Sequence, residues 1–260
     1  EMNPVETFWC EGANGDKVQS ILVKPPFFDP NKKYPMMFLI HGGPQGAWED
    51  NFHYRWNLQM FAGAGYVVIA PNPRGSTGYG QKFTDEISGD WGGKVYTDLM
   101  NSYDYALKNF SYIDAKNTFA SGASYGGYMI NWVEGHTDKF SALFCHNGTF
   151  NLESMWGTTE ELWFPEWDVN GTPWENREAY VKWSPHQYAK NFKTPMLIVH
   201  SAFDFRLSEE QAFQLFTTLQ RLGVESKFLY FPDETHFVSK PQNAKLWWNT
   251  VFDWFKEHQK

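Results

Sequence analysis

Several short runs of the chain are apolar without interruption: Met36 to Ile40, Tyr66 to Ala70, Ala142 to Cys145, Pro195 to Val199 and Phe228 to Phe231. Continuous rather than alternating hydrophobicity marks strands buried on both faces, and such strands belong to a parallel sheet covered by helices. The Thr118-Phe119-Ala120 text adds a shorter apolar strand. Val18 to Val23 predicts an earlier strand, closed by Lys24-Pro25-Pro26. Between the strands the period changes. Val95, Leu99, Tyr103, Leu107 and Phe110 recur every third or fourth residue, which predicts a helix over 94–110. Ser208 with Gln211 forms the sequence pattern of a capping box, and Phe213, Phe216, Leu219 and Leu222 follow before a terminating Gly223. A last helix over 242–260 places Trp247, Val251, Trp254 and Phe255 on one face. Strands alternating with helices predict a doubly wound α/β sheet, mostly parallel, with helices on both faces.

One stretch breaks the alternation. Residues 151–193 hold five tryptophans, several prolines and no strand pattern, which is long for a plain connection. They are expected to form a helical excursion over the strand tips, at the rim of a binding pocket. No repeat or linker divides the chain, so residues 1–260 read as a single domain.

The chemistry concentrates at strand ends. Gly122-Ala123-Ser124-Tyr125-Gly126 follows a strand and opens helical text. That is Gly-x-Ser-x-Gly in the strand–turn–helix setting that lifts a nucleophilic serine above a sheet. A serine hydroxyl needs a base, and the base needs a carboxylate to orient it. In this architecture the order is serine, acid, histidine, and Asp204 and His236 fall in the loops after two consecutive strands. Asp233 and Glu234 rank behind Asp204, because they lie too close in sequence to His236 to arrive from a separate strand. The oxyanion donors are expected to be the N–H of Tyr125 and that of Gly43, in the His41-Gly42-Gly43-Pro44 loop after an early strand. His200 reads as structural. The remaining histidines form no short-spaced metal cluster, and neither the glycine-rich loop at 73–80 nor Gly92-Gly93-Lys94 fits a nucleotide fingerprint. No metal and no cofactor is expected.

Composition narrows the rest. With 42% hydrophobic and 20% charged residues the chain can offset its ordering entropy by burial. A formal charge of −8 and the lack of a basic block argue against nucleic acid as a partner. No apolar run is long enough to span a membrane. The opening Glu1-Met2-Asn3-Pro4 has neither part of a signal peptide and does not start with methionine, so a processed or excised domain is expected. Cys10 and Cys145 are expected to be free, buried thiols.

Taken together the strings resemble the catalytic domain of the prolyl oligopeptidase family, nearest its dipeptidyl-peptidase V and acylaminoacyl-peptidase branch. The resemblance rests on His-Gly-Gly-Pro at 41–44, Asn-Pro-Arg-Gly-Ser-Thr-Gly-Tyr-Gly at 72–80, Ser-Tyr-Gly-Gly-Tyr at 124–128, Asp-x-Arg at 204–206 and Lys-Pro-Gln-Asn at 240–243. It implies an α/β-hydrolase fold and a serine exopeptidase on short peptides, with Ser124, Asp204 and His236 as triad and Arg206 binding a substrate carbonyl. The pocket for the residue before the scissile bond would draw on Tyr125, Phe150, Met155 and Trp156; for the last three, core packing is the competing reading. The family's N-terminal β-propeller has no counterpart in this sequence, and it becomes the expected partner beside the peptide substrate. Likeness to exported members points to the periplasm or the cell exterior, with the cytoplasm left open, as is a homodimer. Thr235 before the histidine and Ala123 before the serine depart from the family's usual residues. Two rivals remain: a carboxylesterase on the same fold, and a non-catalytic interaction domain.

Overall fold

A computed structural model describes residues 2–260. One sheet of eight strands runs through the molecule in the order β1-β2-β4-β3-β5-β6-β7-β8. The strands are β1 (Glu6–Glu11), β2 (Lys17–Val23), β3 (Tyr34–Ile40), β4 (Val67–Asn72), β5 (Ile113–Ala123), β6 (Ala142–His146), β7 (Met196–Ser201) and β8 (Ser226–Phe231). Pairing is antiparallel from β1 through β2 to β4 and parallel everywhere else. The helices are α1 (Leu58–Gly63), α2 (Gln81–Asp85), α3 (Lys94–Asn109), α4 (Tyr125–His136), α5 (Leu152–Thr158), α6 (Trp163–Asp168), α7 (Arg177–Lys182), α8 (Glu210–Leu222) and α9 (Pro241–Glu257). Their apolar stripes close a core on each face of the sheet. Met36, Phe38, Leu143 and Ile198 meet α3, α4 and α8 on one side. Met37, Phe119, Phe144 and Leu197 meet α1 and α9 on the other. This two-sided burial is why the central strands read as unbroken apolar runs.

The edges of the sheet depart from the sequence pattern. Strand β1, whose outer positions are exposed, carries no continuous apolar run and gave no signal. Strand β8 is parallel as expected but lies at the other edge, so only Phe231 of its apolar run is fully buried. The Ser208–Gln211 capping box does not form. Helix α8 starts after Glu209 without a side-chain cap. The Ser208 hydroxyl instead bonds Thr158, and Gln211 Oε1 accepts from the N–H groups of Phe150 and Asn151 at 2.8 and 2.9 Å. Tertiary contacts thus claimed both halves of a local pattern. Gly223 does end α8, in the left-handed conformation at φ 72°.

Residues 151–193 contain α5, α6, α7 and a 3₁₀ segment (Pro185–Asn191) and no strand. Both ends are tied to the main body: the first through Gln211, the last through Glu134 of α4, whose Oε1 accepts from the N–H groups of Lys193 and Thr194 at 2.6 and 2.8 Å. Burial pushes the Glu134 carboxyl up to about 7, outweighing those two bonds. A carboxyl raised in the folded state stabilises the fold fully below its unfolded pKa, and that contribution is lost as pH climbs through the folded value. Glu134→Gln keeps the acceptor and removes the charge. The variant is therefore expected to gain on the native chain by roughly 3 kcal/mol between pH 4.5 and pH 8. Urea unfolding at both pH values measures the gain; a constant difference would contradict it.

Candidate active site

Strand β5 runs directly into α4 through a turn too sharp for ordinary backbone. Ser124 sits at φ 58° and ψ −123°, a conformation non-glycine residues rarely hold. The surroundings fix it: Ser124 N–H donates to the His146 carbonyl at 3.0 Å and its own carbonyl accepts from Tyr128 N–H at 2.9 Å. Gly126 lets α4 press against β3, since a Cβ there would stand 2.2 Å from the Ile40 carbonyl oxygen. The turn presents Ser124 at the C-terminal end of the central strands, with Tyr125 N–H in the unpaired first turn of the helix.

The loop after β3 lies beside that turn. Gly43 takes φ 131°, a backbone state closed to other residues without strain. His41 braces the loop from within: Nδ1–H donates to the Gly42 carbonyl at 2.9 Å and Nε2 accepts from the Ser76 hydroxyl at 2.9 Å. Burial lowers the His41 pKa, which fits this neutral, two-sided role. The 72–80 motif thereby acts as a buttress for the 41–44 loop.

The acid and base loops hang from neighbouring strands. Asp204, 1% exposed, follows β7, and its Oδ2 accepts from His236 Nδ1 at 2.6 Å. Its Oδ1 accepts from the N–H groups of Arg206 and Leu207 at 3.2 and 3.0 Å. Both carboxylate oxygens are thus engaged, which fixes the group against the ring. The loops are also stitched to each other, Phe203 N–H donating to the Glu234 carbonyl at 3.0 Å. Glu234 points away from His236 and collects Ser239, Lys240 and Asn243 at the start of α9, which explains the 240–243 motif. Asn147, at φ 45° beyond β6, donates from Nδ2 to the His236 carbonyl at 3.0 Å. His200 Nε2 meets the Leu207 carbonyl at 2.8 Å and supports the acid loop.

Ser124, Tyr125, Gly43, Arg206 and His236 line one cavity of about 750 Å³. Among the described residues no hydrogen bond joins the Ser124 hydroxyl to the His236 ring; such contacts are commonly loose before substrate binds. Arg206 faces Glu161 in a two-pronged ion pair, Nε and one terminal nitrogen each at 3.0 Å.

The three aromatic and thioether pocket residues read from the sequence are not in this wall. Phe150 and Met155 are core residues at 2% and 0% exposure, and Trp156 packs on Trp174 while bonding Glu166. The excursion turns its first helix inward and offers the cavity its second, through Trp163, Phe164, Trp167 and Asp168 of α6, facing Trp91 and Gln45. Tryptophan density was the available signal, and it pointed to the right excursion but the wrong helix. No group of three or more metal-ligating side chains occurs among the described residues. No helix there is long and apolar enough to cross a membrane.

A mostly parallel sheet, a serine on a strained strand–helix turn and a carboxylate-held histidine after the last two strands define an α/β hydrolase. Residues 52–260 match the prolyl oligopeptidase family. The chain is 47% identical over 257 residues to dipeptidyl-peptidase 5 of Schizosaccharomyces pombe, covering 98% of this chain and 38% of that protein. It is 50% identical over 259 residues to dipeptidyl-peptidase 5 of Arthroderma otae, covering 98% of this chain and 35% of the other. An acylaminoacyl peptidase structure from Pyrococcus horikoshii superposes with a TM-score of 0.93 at 28% identity, over 100% of this chain and 42% of that one. The chain belongs to the prolyl oligopeptidase family. It spans roughly a third of the length of the curated relatives it matches.

Proposed function

We propose that this chain carries the catalytic site of a serine exopeptidase that releases dipeptides from the N-termini of short peptides. The observation that carries the reading is the 2.6 Å Asp204–His236 bond, set in the same cavity as a serine held at positive φ. Ser124 attacks the scissile carbonyl, and His236 takes its proton and passes it to the leaving amine. Asp204 keeps Nδ1 protonated, so that Nε2 is the basic nitrogen, and it stabilises the imidazolium that forms. The N–H groups of Tyr125 and Gly43 receive the oxyanion. Arg206 binds a carbonyl of the acyl part, with Glu161 holding its guanidinium at the cavity wall. Water then enters, activated by His236, and frees the acyl group.

The names of the curated relatives support dipeptide release. The acylaminoacyl peptidase likeness supports a second reading, in which blocked N-termini are removed; turnover of N-acetylated against free-amine substrates separates the two. A β-propeller partner over the cavity mouth fits the exposed Trp163, Trp167, Phe203 and Phe205.

Labelling with a fluorophosphonate, followed by peptide mass spectrometry, tests the catalytic reading. A single adduct on Ser124, absent from Ser124→Ala, is expected. A folded chain that takes no adduct would overturn it.

A further inference from the structure

The cavity wall next to His236 holds polar groups that the mechanism leaves unused. Arg55, Trp56, His146, Trp247 and Trp248 line it. His146 and Trp247 are each 4% exposed, and both ring nitrogens of the first and Nε1 of the second are buried without a hydrogen-bond partner among the described residues. Arg55 Nε is in the same condition. These groups are close together: the His146 ring lies 5.8 Å from that of Trp247 and 6.1 Å from that of Trp56. The Arg55 guanidinium stacks 4.1 Å over Phe237, whose ring is 5.2 Å from His236. No ion pair among the described residues neutralises Arg55.

The ring nitrogens of His146, the Trp247 N–H and Arg55 Nε are sealed within the wall, so the group that meets a ligand in the cavity is the outer end of the Arg55 guanidinium, whose terminal nitrogens have no partner among the described residues. The ligand's chemistry follows from what that end offers. Arginine only donates. Burial, then the charges of His236, His200 and Arg55, hold the His146 imidazole well below its ordinary pKa, so it adds no charge beside Arg55. Donors with one uncompensated positive charge complement an anion, and the flat guanidinium fits a carboxylate. The position decides which part of a peptide this is. His236 must hand its proton to the leaving amine, so the wall beside His236 faces the leaving portion, while Arg206 and α6 face the acyl portion.

The geometry points to a subsite centred on Arg55, in the wall shared with His146 and Trp247, that binds a carboxylate on the leaving side of the scissile bond. It deepens the peptidase reading and rests on it. The carboxylate is either the C-terminus of a short peptide or an acidic side chain just after the cleavage site.

Calorimetric titration of the Ser124→Ala chain separates these sources without turnover. The probes are trialanine as free acid, trialanine amide, and the amide with aspartate as its third residue. At least tenfold tighter binding of one or both carboxylate peptides than of trialanine amide is expected; which one binds names the source. Adding Arg55→Ala should erase the difference, and Arg55→Lys should restore part of it. Equal binding of all three, binding of none at millimolar concentration, or a preference that survives Arg55→Ala would overturn the subsite. Fluorophosphonate labelling of Ser124 in Arg55→Ala checks that the site stays assembled. A chain whose Ser124 never labels fails the peptidase reading, whatever the titration gives.

Discussion

On the proposed peptidase reading, Ser124→Ala is expected to lower kcat/KM on a dipeptidyl substrate by about 10⁴- to 10⁶-fold. Asp204 spends both carboxylate oxygens on His236 and on the N–H groups of its own loop, so the ring is held in one tautomer before substrate arrives. All of that organisation is useful only if a hydroxyl at residue 124 receives it. Alanine leaves the oxyanion donors and the cavity in place, so the loss should fall on kcat with little change in KM. Asp204→Asn should cost about 10⁴-fold by favouring the wrong tautomer. The double variant should lose little more than Ser124→Ala alone, because the residues act as a unit. Additive losses in stopped-assay kinetics would mean that they do not.

The second large effect concerns folding. Arg74 is fully buried, and its guanidinium bonds Asp98 at 3.2 Å, Glu86 at 3.0 Å, Asp16 at 3.0 Å and the Ala13 carbonyl at 2.7 Å. One side chain thus ties the turn between β1 and β2, the loop after β4, the end of α2 and the second turn of α3. Asp98 is equally buried and also accepts from the N–H groups of Ala13 and Arg74. Burial raises its carboxyl above the ordinary range against the pull of these partners. Arg74→Met therefore strands a buried carboxylate and is expected to cost about 3–5 kcal/mol in urea unfolding. Arg74→Met with Asp98→Leu should cost less than Arg74→Met alone, because the unpaired charge goes with it. A double variant worse than the single one would show that packing, not charge, sets the loss.

Arg74 also shows where reading the sequence ends. Its glycine-rich surroundings fit no nucleotide fingerprint, and nothing in a string of residues says that an arginine will find three acids from distant segments. The central strands were legible because burial on both faces leaves an unbroken apolar run, whereas β1, wet on its outer side, leaves none. The Ser124, Asp204 and His236 positions were legible because strand-end loops after successive parallel strands must share one rim. The cavity wall was not. Whether Met155 or Phe164 faces the site depends on how α5 and α6 pack, and both helices carry large apolar side chains. Likewise Asn147 and Arg55 lack any local pattern, since their partners come from other loops.

The excursion between β6 and β7 is fastened at both ends, by Gln211 at its start and Glu134 at its finish, yet contains none of Ser124, Asp204 or His236. Its middle supplies Trp163, Phe164 and Trp167 to the cavity. Selection can therefore rewrite this stretch as an exchangeable cassette. A lineage can reshape the cavity by changing α6 alone, without passing through an ancestor that had lost Ser124, Asp204 or His236.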